Sequence, residues 1–188
     1  MDTSNGYLTG TLLIATPSLQ EGCFSKAVIY ICEHSPGGAM GVIINQPIAS
    51  VRLAEILKEL DLVTDRKIGD LPVYFGGPVE GHRGFVVHTA DVVLEDTVTN
   101  KEGIALTANI AMLRSIAEGH MPQHNFLVLG YAGWAAGQLE AEIEAGGWIT
   151  APATRSLVFE TNDEEKWMLS AASLGVDLSR LSAEVGHA

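Results

Sequence analysis

The chain has 188 residues, 47% of them hydrophobic and 18% charged, which is enough to bury roughly 70% of the unfolded surface around one core and too apolar for a disordered chain. Its 23 acidic against 11 basic residues leave a formal net charge of −12. That balance opposes the phosphate neutralisation that nucleic-acid binding needs, so direct contact with DNA or RNA is disfavoured.

Residues 8–15 read as a first strand, Thr11-Leu12-Leu13-Ile14-Ala15 at its centre, stopped by Thr16-Pro17. In residues 27–32 both alternating faces are apolar: Val28, Tyr30 and Cys32 on one, Ile29 and Ile31 on the other. Such a strand is buried on both sides. Cys32 is then a small core hydrophobe, and with Cys23 as the other cysteine there is no disulfide framework. Ser35-Pro36-Gly37-Gly38 supplies the preset φ and the left-handed freedom of a tight tip, after which residues 40–45 return as a second core strand through Val42, Ile43 and Ile44.

Ser50 is placed to cap a helix to about Leu60, with Val51, Ala54 and Leu57 and with Leu53, Ile56 and Leu60 forming its apolar face. Residues 61–71 form a polar connection. Val73-Tyr74-Phe75 is a short strand ending at Gly76-Gly77-Pro78-Val79; a loop through His82 and Arg83 leads to another strand at 84–88, and residues 92–98 make a weaker one. Thr107 caps a helix through Ala117 that Gly119 ends. Residues 126–131 are a further buried strand, and residues 138–145 a helix stopped by Gly146-Gly147. Short strands follow at 148–151 and 156–159. Thr161 and Glu164 then form a capping box for a helix reaching Leu174, which Gly175 terminates. No repeat or linker divides the chain. The mixture of helices with hairpin-paired strands predicts a single α+β domain with its core over about residues 6–175.

No run of about 20 apolar residues spans a bilayer. The first residues, Met1-Asp2-Thr3-Ser4-Asn5, lack the basic start and apolar stretch of a secretory leader. The expected location is cytoplasmic, away from membranes.

Three stretches stand out: Cys32-Glu33-His34 running into Gly38-Ala39-Met40-Gly41-Val42-Ile43-Ile44-Asn45-Gln46-Pro47; Gly76-Gly77-Pro78-Val79; and Gly130-Tyr131-Ala132-Gly133-Trp134 with Gly137-Gln138-Leu139-Glu140. In order and spacing they resemble the YqgE/AlgH family of bacterial proteins, and the resemblance extends over residues 6–188. It implies a single domain whose branched, largely antiparallel sheet is bent into a pseudo-barrel with helices packed outside. Members are labelled transcriptional regulators from genetic association, without an agreed catalytic mechanism, cofactor or DNA-binding motif. The resemblance therefore implies no cofactor, and regulation that acts indirectly rather than by contact with DNA.

Glu33 and His34 offer an acid and a base tunable near neutral pH, although neighbours on a regular strand point to opposite faces. The competing reading has one side chain satisfying loop backbone and the other solvated. The glycines of residues 37–41 expose backbone N–H groups without the Gly-Lys-Ser/Thr ending of a phosphate loop. Gly76-Gly77-Pro78 can bring backbone close to a ligand but lacks the dinucleotide fingerprint. His120 and His124 have helical ligand spacing, yet Gly119 and Pro122 interrupt any helix there, and no metal is expected. Trp134 is either a hydrophobic clasp or a ligand platform; Glu140 and Glu144 share one helix face, near an N-terminus that favours carboxylates.

No complete catalytic set emerges, and a Gly-x-Ser-x-Gly elbow is missing. The expectation is a non-enzymatic binding or regulatory domain that recognises a small ligand or a protein partner. Its pocket would be lined by Glu33, His34, Asn45, Gln46, Gly76, Gly77, Pro78, Trp134, Gln138 and Glu140. The alternatives are a hydrolase or transferase using His34, Glu33 or Glu140 as acid or base, and a transcriptional regulator acting indirectly.

Overall fold

The computed structural model describes residues 6–19 and 22–181. The apolar runs become adjacent strands: β1 (Thr11–Ala15), β2 (Val28–Ser35) and β3 (Gly38–Ile43) pair antiparallel in chain order. Their two faces feed two different cores. Leu12, Ile14, Val28, Tyr30 and Val42 pack into one, and Leu13, Ile29, Ile31 and Ile43 into the other. Burying each Leu, Ile or Val side chain contributes about 1.5–3 kcal/mol.

β4 (Pro47–Arg52) pairs with β5 (Pro72–Phe75). β6 (Val79–Thr89), β7 (Val98–Thr99) and β8 (Ile104–Thr107) form a second antiparallel group. β9 (Asn125–Ala135) joins the two halves, and β10 (Trp148–Pro152) returns to β1. The sheet runs β10-β1-β2-β3-β9-β6-β8-β7, with β5 and β4 branching from β9, and it curls into a half-barrel. The β5–β9 ladder is parallel, the others antiparallel.

The branch explains the paired glycines. Residues 127–129 of β9 lie between β5 and β6, whereas residues 132–135 pair with β3. At the change of partner Gly76 N donates to Leu129 O at 2.7 Å, and Gly76 O accepts from Ile43 N at 2.8 Å. A Cβ on Gly76 would stand 2.2 Å from Gly130 O, and one on Gly77 would stand 2.1 Å from Tyr131 C. Backbone here touches backbone, and only glycine fits.

The helices lie against these cores. α1 (Leu53–Glu59) and α3 (Ile110–Ala117) cover β5, β6 and β9 through Leu53, Leu57, Met112 and Ile116. α2 (Arg66–Gly69) is a single turn within the segment expected to be a plain connection. α4 (Gln138–Glu144) buries Leu139, while α5 (Asp163–Ala172) and α6 (Leu178–Leu181) close the first core with Ala171 and Leu178.

Several expected boundaries move, each for a local reason. Ser50 does not begin a helix, because Pro47–Arg52 pairs with β5 and Arg52 N instead donates to Glu55 Oε2, setting the helix start at Leu53. Thr107 ends β8 with its hydroxyl committed inside the protein; Asn109 Oδ1 caps α3, accepting from Ala111 N at 2.9 Å. Residues 156–159 are not a strand but part of a π-helical turn, Ser156–Glu160, whose wide coil buries Val158. Thr161 consequently gives its hydroxyl to Ser156 O, and Asn162 rather than Thr161 precedes α5. Within 92–98 only Val98 joins the sheet, opposite the short β8 that the hydropathy pattern did not reveal.

Candidate recognition site

Two of the three motif-bearing stretches meet at one corner of the sheet, where Gly38 pairs with Ala135 and Ala39 with Trp134. The pairing of β2 with β3 shifts register between Ile31 and Glu33. Beyond the shift Glu33 is exposed and His34 is buried. The chain then turns into α4 and places Glu140 on the imidazole: His34 Nε2 lies 2.9 Å from Glu140 Oε1, with the histidine side chain 1% exposed and the glutamate 47%.

The tautomer follows from the other nitrogen. Leu8 N donates to His34 Nδ1 at 3.0 Å, so Nδ1 holds the lone pair, and Nε2 carries the proton that it donates to Glu140. Tyr7 packs edge-on to the ring at 5.1 Å, and His34 N donates to Thr9 Oγ1 at 2.8 Å. The Glu140 carboxyl is held below the ordinary carboxylate range, first by its own backbone N–H and then by His34, against an opposing effect of burial. It stays ionised at neutral pH.

Trp134 is buried, 7% exposed. Its indole donates to Glu142 Oε2 at 2.9 Å, and Trp148 donates to the same oxygen at 2.8 Å; the rings meet edge to face at 6.1 Å. Gln138 Nε2 donates to Glu142 Oε1 at 2.9 Å, and Gln138 Oε1 accepts from Ala135 N at 3.0 Å. Glu142 escaped sequence reasoning. The available signal was that two tryptophans flanking one helix each need an acceptor when buried.

Asn45 and Gln46 lie at the other end of β3, a strand's length of roughly 20 Å from the tip. Asn45 Oδ1 accepts from Val28 N at 2.9 Å and its Nδ2 donates to Lys26 O at 2.9 Å; Gln46 Nε2 donates to Cys23 O at 2.8 Å. Both side chains tie the start of β2 to the end of β3. Gly76 and Gly77 form the sheet branch, with Pro78 exposed beside them.

Other buried polar groups are joined in networks. Leu94 N donates to Thr97 Oγ1 at 2.9 Å, Thr97 to Thr107 at 2.7 Å, and Thr107 to His88 Nε2 at 2.8 Å, while His88 Nδ1 donates to Thr89 O at 2.9 Å. Lys166, 3% exposed, donates to Val158 O at 3.0 Å, Ile44 O at 3.3 Å and Asp163 Oδ1 at 3.4 Å. Burial pushes its pKa down against the pull of Asp163. Burial also pushes the Cys32 thiol up to about 12.

The candidate residues line none of three marked recesses. One, of about 430 Å³, is walled by Tyr74, Phe126 and Phe159; another, of about 320 Å³, lies between α1 and α3; the third, of about 410 Å³, lies beside Trp148 and Val176. Among the described residues no three His, Cys, Asp or Glu side chains gather to hold a metal ion. None of the described helices is long and apolar enough to cross a membrane.

A branched half-barrel with outer helices and polar joints between distant segments defines the class: a single-domain α+β protein. The AlgH-like family description matches residues 12–179, and the chain belongs to this family. It is 45% identical to a UPF0301 protein of Afipia carboxidovorans, over 97% of this chain and 90% of that one. It is 47% identical to a UPF0301 protein of Rhodopseudomonas palustris, over 97% and 87%. Among solved structures, the AlgH protein from Pseudomonas aeruginosa matches all of both chains with a TM-score of 0.80 at 39% identity. A Corynebacterium diphtheriae protein matches 79% of this chain and 78% of its own with a TM-score of 0.64 at 28% identity.

Proposed function

We propose that the chain is a non-enzymatic binding domain, acting in the cytoplasm within a regulatory system, whose recognition face is the corner where exposed Gln138 and Glu140 lie over His34, with Glu33 exposed on the adjoining strand and Trp134 packed beneath. The observation that supports it most is the double commitment of His34: a general base needs an available lone pair, and Nδ1 gives its own to Leu8 N while Nε2 holds a proton toward Glu140. The pair fixes an ionised, half-exposed carboxylate on the surface. The group that suits it is a cation, an ammonium or guanidinium carried by a small ligand or by the basic surface of a protein partner. Asn45, Gln46, Gly76 and Gly77 brace the sheet elsewhere, and Pro78 is exposed beside the branch, so none of the five belongs to this face.

Cross-linking in cells, followed by identification of the bound species, tests this with Glu140→Gln and Glu33→Gln. A partner held by the wild-type protein and lost from these folded variants is expected. Unchanged capture and unchanged cellular phenotype in both would refute the reading, and a hydrolase or transferase activity abolished by His34→Ala at unchanged unfolding free energy would replace it with catalysis.

A further inference from the structure

The recess walled by Tyr74, Phe126 and Phe159 shares no residue with the corner, and its chemistry is different. Four rings follow one another along it. Tyr74 and Phe126 have centroids 5.0 Å apart, Phe126 and Phe159 6.0 Å, and His124 stacks on Phe159 at 5.7 Å with planes 24° apart. All four stay half-buried. A closed core would have covered them, whereas here they border about 430 Å³ of open space, within the usual range for small-molecule sites.

One side of the wall is tied to the groups behind it. Tyr74 Oη donates to Asp163 Oδ2 at 3.0 Å, and the other carboxylate oxygen meets Lys166 Nζ at 3.4 Å. That ammonium, which does not line the recess, lies 5.8 Å from the Phe126 ring centroid. Rings held in place this way lose little freedom on binding.

The polar lining supplies the second half of the specificity, Lys67 as a cation and His124 as a ring N–H donor. On a chain with net charge −12, the lining contains Lys67 and His124 and no carboxylate. Asp163, behind Tyr74, is paired with Lys166. The Gln123 and Asn125 amides complete the polar side, Gln123 Oε1 accepting from Arg155 Nη2 at 3.5 Å.

We propose that this recess binds a small planar aromatic ligand bearing an anionic group, its ring against Phe126 and Phe159 and its anion toward Lys67 and His124. A nucleoside monophosphate and an aromatic carboxylate share this chemistry. The test titrates the full chain, labelled for amide NMR, with adenosine monophosphate and 4-hydroxybenzoate. Adenosine (ring without anion) and ribose 5-phosphate (anion without ring) serve as controls.

Saturable binding of at least one ring-plus-anion probe is expected, with shifts at residues 123–126 and 159; whichever probe binds identifies the source. Phe159→Leu removes the ring at small cost in volume and should weaken binding about tenfold, the scale of one lost stacking contact. Lys67→Ala, an exposed change that leaves the core untouched, should weaken the anionic probe and not adenosine. Glu140→Gln should leave the recess unaffected, so failure of the corner and failure of the recess are told apart. The proposal is overturned if no ring-plus-anion probe saturates, if either control binds as tightly as the complete probe, or if Phe159→Leu and Lys67→Ala both bind like the wild type.

Discussion

Replacing Glu142 by alanine removes the acceptor of two buried indoles at once. Trp134 and Trp148 are 7% and 4% exposed, and both N–H groups converge on Glu142 Oε2. An orphaned buried donor costs about 1–3 kcal/mol, so two give about 2–6 kcal/mol. Glu142 itself is half-buried, and water entering its vacated space restores part of that, which places the expected loss at the lower end, about 2–3 kcal/mol. Glu142→Gln keeps an oxygen but not the charge, and should lose about 1 kcal/mol, the difference between a charge-assisted and a neutral hydrogen bond.

The same carboxylate gives a pH signature. Burial raises its pKa, but the hydrogen bonds from Trp148, Gln138 and Trp134 together outweigh it and leave the folded value below the ordinary 4.5. The stabilisation is therefore complete above the unfolded value and is lost as pH falls through the folded one. Glu142→Gln should lack this part of the acid limb. Urea unfolding followed by far-UV circular dichroism measures the free energies, and near-UV circular dichroism reports the edge-to-face pair, with Trp167, bonded separately to Ala15 O, as an internal reference. A Glu142→Ala protein within about 0.5 kcal/mol of wild type, the scale of an ordinary surface substitution, and with unchanged near-UV signal would refute this account of the clasp.

His88 should also make stability depend on pH. Burial holds it below its ordinary 6.5 against the raising effects of Thr89 O and Asp91, so its contribution is present above the unfolded value and lost as pH falls through the folded one; a His88→Asn variant with the same slope as wild type between neutrality and pH 5 would contradict this. Gly76→Ala forces a Cβ to 2.2 Å from Gly130 O and should cost about 3 kcal/mol or more, beyond ordinary overpacking; a wild-type Tm in that variant would mean that the branch relaxes freely. Ser170 is fully buried and its hydroxyl has no partner among the described residues, so Ser170→Ala should stabilise by about 1 kcal/mol in urea titrations, and a clear loss would disprove it.

The sheet was legible where burial alone decides conformation. The double-faced run of residues 27–32 could only be a covered strand, and it is one, with Val28, Ile29 and Ile31 fully buried. Legibility failed where a tertiary partner outweighed a local preference. Thr107 has the chemistry of a helix cap but is drawn into the His88 chain, and Leu157-Val158-Phe159 alternate like a strand but coil so that Val158 O meets Lys166. For the candidate corner, the glycine-rich tip at residues 37–38 was readable as a tight turn, but nothing in the sequence dictates the pairing of Ala39 with Trp134 that brings the Glu33-His34 and Trp134–Glu140 stretches together. The aromatic recess was not readable either, since Tyr74, Phe126 and Phe159 come from β5, β9 and the π-helical turn, and nothing in their spacing announces that they converge.

Several ionisable side chains, one of them the catalytic candidate His34, occupy joints between distant segments. His34 links Leu8 to Glu140, Glu142 links Trp134 to Trp148, and Lys166 links Ile44 to Val158 and Asp163. Truncating any of them strands buried donors or acceptors, so loss of activity in such a variant would report folding as readily as function. Informative substitutions must leave the joints intact. Glu140→Gln does so, because its amide oxygen still accepts from His34 Nε2 while the charge is gone, and the half-exposed position limits the cost in stability. A loss of partner in that variant, at unchanged unfolding free energy, is then attributable to the missing negative charge rather than to a loosened corner.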